Sequence, residues 1–164
     1  KRFYWRENEN NCDMKINTKG IELITSFEGC KLNAYLDSVN VPTIGFGATF
    51  YQNGNKIKLG DKITQQQANE LLEFHINKFS SGIIKYLRND LNDNQFSALV
   101  SFAFNLGINS LTISTLLKKV NKNPNDKTIS DEFLKWNKAR VKGKLAVLTG
   151  LTRRRKAESD LYFS

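Results

Sequence analysis

Glu28, Asp37 and Thr43 fall within one short stretch, FEGCKLNAYLDSVNVPTIGFG (residues 27–47), which Gly45 and Gly47 close. Nine positions separate the two acids, and six more separate Asp37 from the threonine. Two carboxyl groups in unlike surroundings can cleave a glycosidic bond. One must carry a proton for the leaving oxygen. The other must be ionised, to stabilise positive charge or to activate water, and a hydroxyl on a neighbouring strand can hold that water. On spacing alone, solvated surface acids explain the pattern first. Thr43 is also an ordinary β-branched strand residue, and the glycines suit a bend in a sheet.

The elements that must position these groups can be read from the chain. A helix starts at Asn17 or Thr18, both good N-caps, with Ile21, Ile24 and Phe27 as its apolar stripe and Gly29 as its stop. Glu28 then occupies the last turn, where the helix dipole does nothing to stabilise its charge. Residues 31–60 are rich in β-branched, aromatic and turn residues, with Pro42 and an Asn53-Gly54 turn, and predict a small antiparallel sheet. A long helix opens at a Thr64/Gln67 capping box and carries Leu71, Leu72, Ile76 and Ile83. In DNQFSALVSFAFNLG, Phe96, Leu99, Val100, Ala103 and Phe104 recur at helical spacing before Gly107, which makes this the central helix of a second lobe. Shorter helices are expected over 110–120, 129–139 and 150–162. The result is an α+β protein: helix, small sheet, long connecting helix and helical lobe, with a cleft between the lobes.

Composition sets the outer bounds. A chain of 164 residues, 40% hydrophobic with two prolines, suits one domain or two small lobes sharing a helix. Its apolar run FSALVSFAFNLG is too short to cross a bilayer. The start, KRFYWRENENNC, lacks the apolar segment of a signal peptide, and Met14 reads as a natural start. Residues 1–13 are therefore taken as an N-terminal extension of unknown origin. Net charge is +9; residues 1–90 carry 12 basic and 10 acidic side chains, and residues 91–164 carry 13 and 6. The excess in the second half fits either a plain soluble basic face or attraction to a polyanion such as nucleic acid, anionic lipid or bacterial wall. Cys12 and Cys30 have no C-x-x-C spacing and His75 is remote from both, which argues against a zinc site. Free thiols are the default, and a Cys12–Cys30 disulfide would need an oxidising compartment.

The strip, taken with its context, closely resembles the signature of phage-type lysozymes, the endolysins that hydrolyse bacterial peptidoglycan. Later blocks follow in that family's order: ITQQQANELL, NQFSALVSFAFNLG, STLLKKVN, FLKWNKA and LTGLTRRRKAESDLYF. The resemblance covers about residues 15–163. It implies a lysozyme-like two-lobed fold over residues 14–164, with a β lobe at about 30–62 and a helical lobe made of about 64–164 plus the N-terminal helix 17–28, the two joined by a long helix. It also implies Glu28 as general acid, Asp37 as second carboxylate and Thr43 as the hydroxyl that positions water. Carboxyl groups roughly 6.5–9.5 Å apart would make the reaction inverting. Phe104 and Asn105 match residues lining the cleft, and Thr115 matches a cleft hydroxyl. The implied substrate is the β-1,4 bond between N-acetylmuramic acid and N-acetylglucosamine, with no cofactor, and the implied state is a monomer that binds no nucleic acid and does not insert into membranes. Synthesis in the host cytoplasm and release to the periplasm is the family's habit, although a mature secreted protein would have the same sequence. One departure is Ala48, where the family's T-I-G-x-G-H ends in histidine; it bears on local packing.

Alternatives remain at this stage. A lytic transglycosylase would use one acid and form an anhydro sugar, leaving Asp37 and Thr43 without a task. A non-catalytic cationic binder of membrane or nucleic acid would explain the charge but leave the whole strip unused. Trp136 could stack on sugar, but its spacing with Phe133 reads as core. Arg153, Arg154, Arg155 and Lys156 could bind wall polyanion or pair with Glu158 and Asp160 along their own helix.

Overall fold

A computed structural model describes residues 14–164. The expected extension and Cys12 lie outside the described residues, and with them the proposed disulfide; Cys30 itself is exposed. Asn17 caps α1 (Thr18–Glu28) by accepting the Gly20 N–H at 3.0 Å. Gly29, at φ +64°, ends the helix and donates its N–H to Thr25 at 3.0 Å. A glycine is the natural residue there because a side chain strains that backbone region. The helix end is thus fixed one residue beyond Glu28.

Two short strands follow, β1 (Lys31–Leu36) and β2 (Pro42–Gly45), antiparallel with Tyr35 opposite Thr43 and Leu36 opposite Pro42. The β lobe has its own small core of Ile44, Ala48, Ile57 and Leu71. Ala48 is buried in it and exchanges two 2.9 Å backbone hydrogen bonds with Ile44. The departure from histidine is therefore an apolar packing choice at this position.

Thr64 and Gln67 form the expected capping box at the start of α2 (Gln65–Ile84), the helix that joins the lobes. A second box, Asn92 with Gln95, opens α3 (Asp93–Leu106). Helix α3 is the axis of the main core: Phe96, Leu99, Val100, Phe102 and Ala103 are all buried. Helix α1 lies so close to it that a Cβ on Gly20 would stand 2.6 Å from Ser97 Cβ.

Two expectations change beyond α3. The single helix over 110–120 is two, α4 (Ile108–Ile113) and α5 (Thr115–Lys122), because Ser114 adopts extended backbone and its hydroxyl caps α5 through the Leu117 N–H at 3.0 Å. The helix over 129–139 stops early, as α6 (Ile129–Leu134). A hairpin replaces its end, β3 (Lys138–Val141) paired with β4 (Lys144–Val147). The stretch VKGK forms its turn. Lys142 and Gly143 both have positive φ, +49° and +78°, the two-residue geometry whose twist matches a hairpin. Helix α7 (Thr149–Tyr162) closes the description against α3 and α6. Trp136 packs edge-on to Phe102 with centroids 5.6 Å apart, so the core reading holds.

Candidate active site

Glu28, at the end of α1, is held from the opposite end of the chain. Arg154 on α7 donates from Nη1 to Glu28 Oε1 at 2.5 Å, across 126 positions of sequence. The guanidinium is buried and also lies over the Phe27 ring, 5.7 Å from its centroid. It is itself fixed from behind: Nε donates to Glu158 Oε1 at 3.3 Å and Nη2 to the Ser101 carbonyl at 3.4 Å. Glu158 is fully buried, accepts the Ser101 hydroxyl at 2.7 Å and pairs with Arg155 at 2.8 Å. Burial pushes the Glu158 carboxyl up, against the pull of Arg155, Arg154 and the Ser101 hydroxyl. Arg155 is equally buried, which lowers its pKa despite Glu158. The result is an arginine that cannot swing away, so Glu28 Oε1 has a fixed address.

The other oxygen lies against the β-lobe backbone at Gly47. A Cβ on Gly47, at φ +86°, would come within 3.0 Å of Glu28 Oε2. Only a glycine allows the β-lobe backbone to run this close beneath the carboxyl group. Gly47 also borders a cavity of about 130 Å³ between the lobes, lined with Phe46, Leu72, Phe79 and Phe104 among others.

Asp37 sits in the turn between β1 and β2. Its Oδ1 accepts the Val39 and Val41 N–H groups, both at 2.9 Å, so the turn orients the carboxylate through one oxygen. Among the described residues, Oδ2 takes no hydrogen bond. Thr43 is nearly buried on β2, and its hydroxyl donates to the Val41 carbonyl at 2.9 Å. The hydroxyl proton is thereby spent, and the oxygen can only accept. A water held there must donate to Thr43 and present a lone pair outward. Tyr35, opposite Thr43, ties the groups together: its phenol is pushed up by burial, then by the negative charges of Glu28 and Asp37.

Of the remaining expected residues, Phe104 lines the cavity and Asn105 Oδ1 accepts from Arg155 Nη2 at 2.8 Å. Thr115 opens α5 exposed, and no described contact ties it to Glu28, Asp37 or Thr43. Sequence reasoning paired the α7 arginines with Glu158 but not Arg154 with Glu28. No spacing rule signals an ion pair between the first helix and the last. The hint was three arginines in a helix whose other residues, Leu161 and Tyr162 among them, had to be buried.

Residues 25–158 match the sequence model of the phage lysozyme family. The chain belongs to that family. This lysozyme is 39% identical over 151 residues to the endolysin of Acyrthosiphon pisum secondary endosymbiont phage 1, covering 92% of this chain and 99% of the relative. It is 38% identical over 126 residues to the endolysin of Salmonella phage P22, covering 77% and 86%. Among solved structures, the endolysin from Escherichia coli O157:H7 phage FAHEc1 superposes with a TM-score of 0.85 at 38% identity, covering 92% and 94%. The protein is a glycoside hydrolase that lyses peptidoglycan, which removes the non-catalytic binder as an account of its function.

His75 lies in the same cavity wall of the lysozyme and has a separate, measurable effect. It is buried, and Nε2–H donates to the Phe50 carbonyl at 3.1 Å. Burial lowers its pKa, only partly offset by that hydrogen bond, and Lys78 lowers it further. Below about pH 6.5 the unfolded ring takes up a proton that the folded ring refuses, so stability falls as pH drops through that value. Chemical denaturation at pH 7 and pH 5.5 should show this loss, and His75→Gln should flatten it.

Proposed function

We propose that Glu28 is the general acid, Asp37 the general base and Thr43 the anchor for the attacking water, in an inverting hydrolysis of the bond between N-acetylmuramic acid and N-acetylglucosamine. The observation that carries this is the division of labour within Glu28. One oxygen is pinned by the buried Arg154, and the other lies over Gly47, which itself borders the cavity between the lobes. A proton on Oε2 passes to the glycosidic oxygen as the bond to the anomeric carbon breaks. Arg154 stabilises the carboxylate left behind, lowering the cost of the transfer. On the far face, a water donating one hydrogen to Thr43 gives its other proton to Asp37 Oδ2 and attacks the anomeric carbon with its free lone pair. The cavity beside Gly47, with Phe104, offers apolar contact to the glycan, and Asn105 is held for it by Arg155.

The same reading takes residues 14–164 as one catalytic domain that works as a monomer without a cofactor, nucleic acid or bilayer insertion. It is made in the host cytoplasm and released to the periplasm. No helix among the described residues is long and apolar enough to cross a membrane.

The test is the product. Proton NMR during digestion of purified wall glycan should show the α-anomer of the new reducing end appearing first, with the mass of one added water per cut. Asp37→Asn should lower kcat/KM by about 10²–10⁴-fold. A β-anomer would make Asp37 a nucleophile instead, and an anhydro product would replace hydrolysis with transglycosylation.

A further inference from the structure

The β3–β4 hairpin has no part in the chemistry above, yet its surface is unusual. Residues 133–157 contain nine basic and no acidic side chains. Arg154 and Arg155 are buried in ion pairs, and Lys135 pairs with Glu132 at 2.8 Å. The hairpin's own cations, Lys138, Arg140, Lys142 and Lys144, are all exposed, and none forms an ion pair among the described residues. The register sets Lys138 opposite Val147 and Arg140 opposite Leu145. Residues directly opposite share a face, so one face of the ribbon has a cationic edge along β3 and an aliphatic edge along β4. Leu145 is 64% exposed and Val147 59%, whereas Ala139 and Ala146 on the other face are half-buried. Nine large hydrophobic side chains are exposed among the described residues, and three sit on this ribbon: Leu145 and Val147 on this face and Val141 on the other. Leu36, Val39 and Val41 form the other group, beside Asp37 at the site already described.

We propose that this outer face is a peripheral docking surface for an anionic phospholipid bilayer. Charge alone would fit any polyanion. A hydrophilic polyanion, however, leaves Leu145 and Val147 in water, while a bilayer surface satisfies both edges at once. Its phosphates meet the cations, and the boundary with the acyl chains takes the aliphatic edge. The ribbon is anchored at its base, where Leu148 N–H donates to Asn137 O at 2.9 Å and Asn137 Nδ2 to Thr152 Oγ1 at 3.1 Å on α7. Docking therefore asks only for adsorption of an existing face, not for insertion or unfolding.

Co-sedimentation of the full chain with vesicles tests this. Binding is expected to vesicles of phosphatidylglycerol and phosphatidylethanolamine and not to phosphatidylcholine alone. Lys138→Gln with Arg140→Gln should weaken it by about fivefold per cation removed. Leu145→Asn with Val147→Asn should weaken it at least tenfold, with binding to soluble polyphosphate and hydrolysis of vesicle-free wall glycan unchanged. Hydrogen exchange on the unaltered chain should show vesicle-dependent protection concentrated in residues 138–147, a reading that does not depend on how the variants fold. Absence of binding to the anionic vesicles, protection elsewhere, or an asparagine pair that binds vesicles as the parent does, would each overturn the proposal. The last result would mark a surface for hydrophilic polyanions.

Discussion

Glu28→Gln is expected to lower the rate of wall hydrolysis by about 10²–10⁴-fold while the protein stays folded. Glutamine keeps the shape of the side chain and still offers an oxygen to Arg154 Nη1, so the contact that spans the molecule survives. It has no proton of suitable acidity to give the leaving oxygen. Loss of turbidity clearing by purified walls, set beside an unchanged thermal transition, is the measurement. Glu28 is partly exposed while Arg154 is not, with side-chain exposures of 20% and 4%, so the stability change should stay within about 1 kcal/mol. A variant that retains most of its activity would remove Glu28 from the mechanism.

Glu158→Ala should act through the opposite balance. Glu158 is fully buried, and among the described residues it is the only acid paired with both Arg154 and Arg155. Arg155 already has a buried Nη1 without a hydrogen-bond partner among the described residues. Removing the carboxylate leaves two guanidinium groups out of water with Glu28 as their one remaining anion. Breaking one side of a buried ion pair costs about 3–5 kcal/mol. That loss should be read as a lower midpoint in chemical denaturation, and activity should fall as Arg154 loses its rear support. Glu158→Gln, which keeps hydrogen bonding without charge, should recover part of the stability. A midpoint unchanged in the alanine variant would show that the arginines find other partners.

The two halves of the site differed in how well they could be read in advance. Glu28, Asp37 and Thr43 lie within sixteen residues, and local rules place them: a helix stopped at Gly29, then two strands joined by a turn. The Thr64 and Gln67 capping box was legible for the same reason, since its hydrogen bonds close within three residues. Arg154 was not. Its contact with Glu28 depends on how α1, α3 and α7 pack, and sequence periodicity reports only that each has a buried face. The hairpin at 138–147 was missed because Lys, Ala, Arg and Leu all favour helices. Only Lys142-Gly143, in a left-handed turn, overrides that preference. Ser114 makes the same point, since one capping hydroxyl divides a run that otherwise looks continuous.

The ion pair that fixes Glu28 also sets a time for the enzyme's birth. A ribosome adds about 5–20 residues per second, so the 126 positions between Glu28 and Arg154 take roughly 6–25 s to make. For most of that interval the nascent chain already holds both acids and the threonine, but not the Arg154 that holds Glu28 in place. An unfinished or prematurely terminated chain lacking α7 therefore carries the reacting groups without their arrangement. On the mechanism proposed above, hydrolytic competence therefore waits for α7.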